Sequence, residues 1–182
     1  YDDYTVAMDP GGDVRKAASW AAAQPPSGAT VTRLAEGWLR RRDPNRPLFL
    51  FLFYMDPHWD YLPPSPYGRM FTDDPTPPLR NVQGLGRTFV PAAARERLRA
   101  AYAGEVRYTD DCLGRLIKAV DAQPRGSNTV IALCGDHGEA FWERSLVGHG
   151  NNLHDEELRV PLIFRGVEKA IPGRVAAGQA GL

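Results

Sequence analysis

Residues 47–55 read Pro-Leu-Phe-Leu-Phe-Leu-Phe-Tyr-Met, and no other stretch restricts the fold so strongly. The six residues 48–53 would present apolar side chains to both faces of an extended segment. A strand of that kind is expected where helices cover the sheet on each side. The run is far shorter than the ~20 apolar residues that span a bilayer, so it predicts a core strand and no membrane span. It stops at Met55-Asp56-Pro57-His58, and Pro57, Pro63 and Pro64 forbid further ladder pairing beyond it.

Helix and strand signals surround this run. Before it, residues 30–42 place Val31, Leu34, Ala35, Trp38 and Leu39 on one helical face, with basic residues in the last turn. Pro10-Gly11-Gly12 and Pro25-Pro26-Ser27-Gly28 mark loops. Residues 63–91 lack periodicity and are rich in Pro, Gly and polar side chains, which predicts a long surface excursion. Residues 92–122 predict a helix through Leu98, Tyr102, Val106, Thr109, Leu113, Leu116 and Val120, closed by Pro124 and Gly126. Strands are expected at 128–135 and 160–166. A strand, a long helix and a second strand form a crossover unit, so the expected class is α/β with a largely parallel sheet flanked by helices. No internal repeat is present.

Charge and cysteine usage narrow the function classes. Lys plus Arg and Asp plus Glu both number 22, so no basic field exists to recruit nucleic acid or an anionic membrane, and anion binding has to be local. Cys112 and Cys134 show no metal-type spacing and make no disulfide framework. The opening Tyr-Asp-Asp-Tyr lacks an initiator Met and a signal-peptide pattern, and Val-Ala-Ala-Gly-Gln-Ala-Gly-Leu closes the chain without a cap or polar tail. The expectation is a partial domain over residues 1–182. No Gly-x-Ser-x-Gly elbow and no phosphate-binding Gly-x-x-x-x-Gly-Lys loop occurs.

Three of the four histidines, His137, His149 and His154, crowd into one short stretch after the 128–134 strand. Ligands in open α/β sheets collect at the carboxyl ends of strands. Met55-Asp56-Pro57-His58 and Gly135-Asp136-His137-Gly138 both sit at such ends, so Asp56, His58, Asp136 and His137 converge if the strands are neighbours. Asp136 and His137 can offer an oxygen and a nitrogen to a metal from one strand tip. The blander alternative makes Asp136 a helix cap and His137 a packing residue. A lone loop histidine such as His58 is ordinarily structural. The glycines beside His149 permit either a turn or ligand access. His154 reads as structural, and Asp155, Glu156 and Glu157 as a favourable first helical turn.

Taken in order, Pro47–Pro64, Tyr102–Ile117 (Tyr-Ala-Gly-Glu-Val-Arg-Tyr-Thr-Asp-Asp-Cys-Leu-Gly-Arg-Leu-Ile), Asn128–Glu143, Gly148-His149-Gly150 and Glu157–Gly166 resemble the sulfatase family of the alkaline-phosphatase superfamily. The resemblance covers residues 44–166. It implies a large mixed sheet between helices and hydrolysis of a sulfate ester, with a sulfated small molecule or glycan as substrate. It also implies that Asp136 and His137 are the C-terminal pair of a divalent-metal site. Calcium comes first for that site, although an imidazole suits a hard ion poorly, and magnesium, manganese and zinc stay open. His58 resembles the histidine that contacts the sulfate oxygens, and His149 a residue near the sulfate or leaving group. Family habit implies a periplasmic or secreted protein.

One departure matters more than these matches. Sulfatases use a formylglycine made from the first residue of Cys-x-Pro-x-Arg or Ser-x-Pro-x-Arg, and neither motif occurs here: Cys112 is followed by Leu-Gly-Arg and Cys134 by Gly-Asp-His. Asp2 and Asp3 follow no apolar strand, so they do not supply the family's N-terminal acidic pair. The nucleophile is expected in a segment N-terminal to these residues. Two alternatives follow: a phosphodiesterase or phospho-group transferase of the same superfamily, and a non-catalytic fragment with at most weak metal affinity.

Overall fold

The computed structural model of the chain describes residues 27–82, 89–150 and 152–166. Two helices dominate: α1, Gly28–Arg41, and α2, Ala92–Asp121. The rest comprises strands β1 (Ile131–Cys134), β2 (Ala140–Phe141), β3 (Val147–Gly148) and β4 (Leu162–Arg165), the short helix α3 (Asp155–Leu158), and 3-10 turns at Tyr67–Arg69 and Gly126–Asn128.

Helix α1 forms as its periodicity predicts, burying Val31, Ala35 and Leu39 against α2. Its N-terminus is capped from outside the helix. Asp56 Oδ2 accepts the Gly28 N–H at 2.6 Å and the Tyr108 hydroxyl oxygen accepts the Ala29 N–H at 2.8 Å. These bonds satisfy two otherwise orphaned donors and fasten α1 to the end of the 48–53 segment and to α2. Thr32, fully buried, adds hydrogen bonds to the Tyr54 hydroxyl and the Cys112 carbonyl.

Helix α2 has the predicted bounds within one residue, but its inner face differs from the expected one. Val106 is exposed, and the buried stripe runs Leu98, Ala101, Glu105, Tyr108, Cys112. That is spacing of three and four with a carboxylate at its centre, and a search for apolar residues alone rotates the face away from Glu105. Residues 63–82 of the excursion lie along this helix. Tyr67 donates to Asp111 at 2.9 Å and Arg97 pairs with Asp74 at 3.0 Å. Gly104 permits the approach, since a Cβ there would stand 2.6 Å from the Tyr67 carbonyl oxygen. The main core gathers Tyr61, Val82, Val90, Leu98, Phe141, Trp142 and Val147 between α2, the excursion and the β2–β3 hairpin.

The parallel crossover is not what the described residues form. Both ladders are antiparallel: β1 with β4, Ile131 opposite Arg165 through Cys134 opposite Leu162, and β2 with β3. The chain turns back through α3 and returns along the edge of β1, a reversal that periodicity cannot register. Residues 48–53 are extended but enter no ladder among the described residues, and Phe49, Phe51 and Phe53 are 79%, 76% and 50% exposed. Pro47 and Leu48 nevertheless line one cleft with Asn128, Thr129 and Val130, so the two strand-like segments start side by side.

Candidate active site

His58 sits in the loop that ends the 48–53 segment, and the loop is held by a carboxylate. Glu105, 4% exposed on the inner face of α2, accepts the His58 N–H at 3.0 Å through one oxygen and the Leu62 N–H at 2.6 Å through the other. Burial pushes the Glu105 carboxyl up to about 7, against the lowering effect of these two N–H groups. Asp60 fixes the far side of the loop by accepting the Asn81 and Val82 N–H groups at 2.8 and 2.9 Å. Asp56 faces α1 instead, and desolvation raises its pKa from the ordinary carboxylate value against the lowering effect of the Gly28 N–H. It is therefore an anchor for α1 and not a member of the histidine cluster.

The second half of the site follows β1. No helix starts after Asp136, so the capping alternative fails; the chain runs through a turn into the β2–β3 hairpin. The Asp136 side chain is 66% exposed and lies 3.9 Å from His137 Nε2. His137 Nδ1 donates to the Gly138 carbonyl at 2.8 Å, which makes Nε2 the lone-pair nitrogen of the neutral ring. Gly138 is obligatory, because a Cβ would collide with the Glu156 carbonyl oxygen.

Three histidines meet here. The His137 and His149 ring centroids are 3.9 Å apart, and His58 and His149 are 5.8 Å apart. Trp59 stacks on His149 at 4.3 Å with 16° between the ring planes. Gly148, at φ +91°, makes room for the indole, which a Cβ would strike. His149 Nδ1 lies 3.1 and 3.2 Å from the two Glu139 carboxylate oxygens, and the Tyr61 hydroxyl donates to Glu139 at 2.5 Å. The loop after His149 is tied by Glu157, 6% exposed, which accepts the Gly150 N–H at 2.8 Å and an Asn152 side-chain N–H.

His58, His137 and His149 are thus brought together, with Asp136 adjacent, while His154 is exposed at the start of α3 and outside the cluster. The sequence reading missed Glu105, Glu139 and Glu157. Glu157 lies in the first turn of α3 as expected, but it is buried and serves the Gly150–Asn152 turn. The signal for Glu105 was a Glu in the seam of an amphipathic helix; Glu157, next to the exposed Leu158, inverts the expected burial pattern. Asp136 and His137 have the donor chemistry for half of a divalent-metal site, one oxygen and one nitrogen. Among the described residues no group of three or more His, Cys, Asp or Glu side chains is arranged to hold a metal.

Helices pack around short sheets, and the histidine cluster with its acidic neighbour lies where extended segments end, the place where ligands collect in α/β folds. The family model described as "Sulfatase" matches residues 5–177, and the chain belongs to the sulfatase family, with the alkaline-phosphatase-like α/β fold that the family implies. The match extends the 44–166 resemblance through the first segment. The chain is 29% identical to the multifunctional alkaline phosphatase superfamily protein PehA of Trinickia caryophylli, covering 74% of this chain and 31% of that protein. It is 27% identical to an arylsulfatase of Clostridium perfringens, covering 79% and 32% respectively. It is also 27% identical to iduronate 2-sulfatase of Homo sapiens, covering 72% and 28%. The chain therefore spans about a third of the length of these relatives.

Proposed function

We propose that these residues supply the metal-binding and sulfate-contacting half of a sulfatase active site, and that the full-length protein hydrolyses sulfate esters. The observation that carries this reading is the cluster of His58, His137 and His149 beside Asp136, built from two separate strand-end loops. Asp136 and His137 hold a divalent ion, calcium first, with magnesium, manganese or zinc as alternatives. Such an ion, when bound, supplies positive charge that stabilises the sulfuryl oxygens. His58 Nδ1 donates to the Trp59 carbonyl at 2.6 Å and His149 Nδ1 faces Glu139, so both rings act through Nε2. When doubly protonated, His58 donates its Nε2–H to a sulfate oxygen and His149 gives its Nε2 proton to the leaving-group oxygen as the ester bond breaks. The stacked Trp59 ring covers one face of His149.

The nucleophile is a formylglycine outside these 182 residues, since no Cys-x-Pro-x-Arg or Ser-x-Pro-x-Arg occurs within them. The segment 48–53 joins β1 in a larger, mostly parallel sheet completed by the rest of that domain. The substrate is a sulfated small molecule or glycan, in keeping with relatives named arylsulfatase and iduronate 2-sulfatase. The same family reading puts the protein in the periplasm or outside the cell.

A second reading has its own support. One relative is named a multifunctional alkaline phosphatase superfamily protein, and phosphoester chemistry at the same site is the alternative. The nucleophile separates the two, because a Thr, or a Ser without the following Pro and Arg, belongs to phosphate transfer. In the full-length protein Asp136→Ala abolishes aryl-sulfate hydrolysis and lowers the bound-metal content; full activity in that variant overturns the metal assignment. The 182 residues alone turn over no sulfate ester, and measurable turnover by them contradicts the placement of the nucleophile outside them.

A further inference from the structure

We infer that Glu139 is a positioning residue for His149, and that Tyr61 anchors it to the hydrophobic core. The inference rests on the reading of His149 as the leaving-group residue. A histidine that meets a leaving oxygen must hold one ring orientation through the reaction, because an error near 1 Å costs about 100-fold in rate. His149 lies on a glycine-flanked loop, with Gly148 at φ +91° and Gly150 at φ +82°, which by itself holds nothing still.

Three contacts supply the missing rigidity. Glu139, with its side chain 7% exposed, faces His149 Nδ1 with both oxygens at 3.1 and 3.2 Å. A carboxylate only accepts, so Nδ1 carries the hydrogen and the tautomer and ring plane are fixed together. Glu139 is itself fixed by the Tyr61 hydroxyl at 2.5 Å. Tyr61 is 1% exposed and packs against Tyr102 at 5.3 Å and Phe141 at 6.0 Å between ring centroids. Trp59 then closes the open face of the imidazole. The chain of contacts runs from the α2 core, through a phenol and a carboxylate, to a single ring nitrogen. Glu139 touches no reacting atom in this arrangement and acts through His149.

The test uses the full-length protein and a series of aryl sulfates whose phenols differ in acidity. Glu139→Gln lowers kcat/KM about 10- to 100-fold, with kcat falling more than KM rises. The loss grows as the leaving phenol becomes less acidic, because a poorer leaving group depends more on His149. Tyr61→Phe gives a smaller loss of the same slope and serves if Glu139→Gln does not fold. In a His149→Ala background Glu139→Gln changes nothing further. Additive losses in that double variant, a loss uniform across the phenols, or loss of bound metal as the sole defect would each overturn the positioning role. If His149→Ala alone leaves turnover of the poorest leaving group intact, the reading of His149 fails and the inference falls with it. Normal His149→Ala behaviour with a silent Glu139→Gln sinks only the inference.

Discussion

The histidine-bearing loops and the apolar segment 48–53 are in opposite condition. On the histidine side, the loops that carry His58 and His149 are tied by nearly buried carboxylates: Glu105 behind His58, Glu139 beside His149, Glu157 beneath the turn that follows. Along the segment itself Phe49, Phe51 and Phe53 stand exposed, and Leu162, Ile163 and Phe164 of β4 are 45%, 58% and 56% exposed. The chemistry-bearing side of the molecule is organised by these residues alone, whereas the sheet side lacks a covering layer among them. Large apolar side chains left exposed in such number are uncommon on a free surface. The difference teaches that the histidine loops draw their order from buried carboxylates, Glu105 on α2 first among them, and not from the β1–β4 ladder.

The comparison breaks first if α2 is not the organiser. Leu98 is fully buried at the centre of the α2 core, so Leu98→Ala is expected to cost about 3–5 kcal/mol, measured by urea unfolding of the full-length protein. A cost below about 1 kcal/mol would mean that the core is supported from elsewhere. Glu105→Ala leaves the His58 and Leu62 N–H groups without their acceptor, and a loss of about 2–4 kcal/mol follows.

The same carboxylate gives a pH signature. Its folded pKa of about 7 lies above the ordinary value of 4.5, chiefly through desolvation, with the Asp56 charge adding to the rise. The folded state holds this proton more tightly than the unfolded chain does, so its contribution is largest at low pH and declines as pH rises from 4.5 to about 7. Between pH 5 and pH 8 the stability of the parent relative to Glu105→Gln should fall by about 2–3 kcal/mol. A flat difference would show that the carboxyl is not buried as described.

The smallest effect sharpens the other half of the contrast. Phe51 is 76% exposed, so Phe51→Ser should change the stability of the 182-residue chain by no more than about 0.5 kcal/mol. If the rest of the full-length protein covers this face, as proposed, the same change there should cost about 2–4 kcal/mol. Equal small effects in both would leave the face truly solvent-exposed.

Much of this was legible beforehand, for identifiable reasons. The two long helices announce themselves by periodicity, and the placement of Asp136, His137 and His58 at strand ends follows from where the apolar runs stop. The convergence of those ends with His149 is visible in the ring contacts. What stayed hidden depends on partners distant in sequence. Asp56 caps a helix 28 positions away, and Glu105 binds backbone groups 43 and 47 positions away. Strand direction also escaped, because alternation along 131–134 and 162–165 is the same for parallel and antiparallel neighbours. The burial of Glu105 and Glu157 was not foreseeable from residue type, which predicts exposure, and only the donors around them explain it.

The most direct test of the central claim is the kcat/KM of the full-length protein for an aryl sulfate, compared with His58→Ala under the same metal loading. The account predicts a loss of about 100- to 1000-fold, as expected when a donor to the oxygens of the reacting group is removed, with the fold intact. An unchanged kcat/KM in His58→Ala would contradict it, because the histidine that Glu105 holds in place would then play no part in turnover.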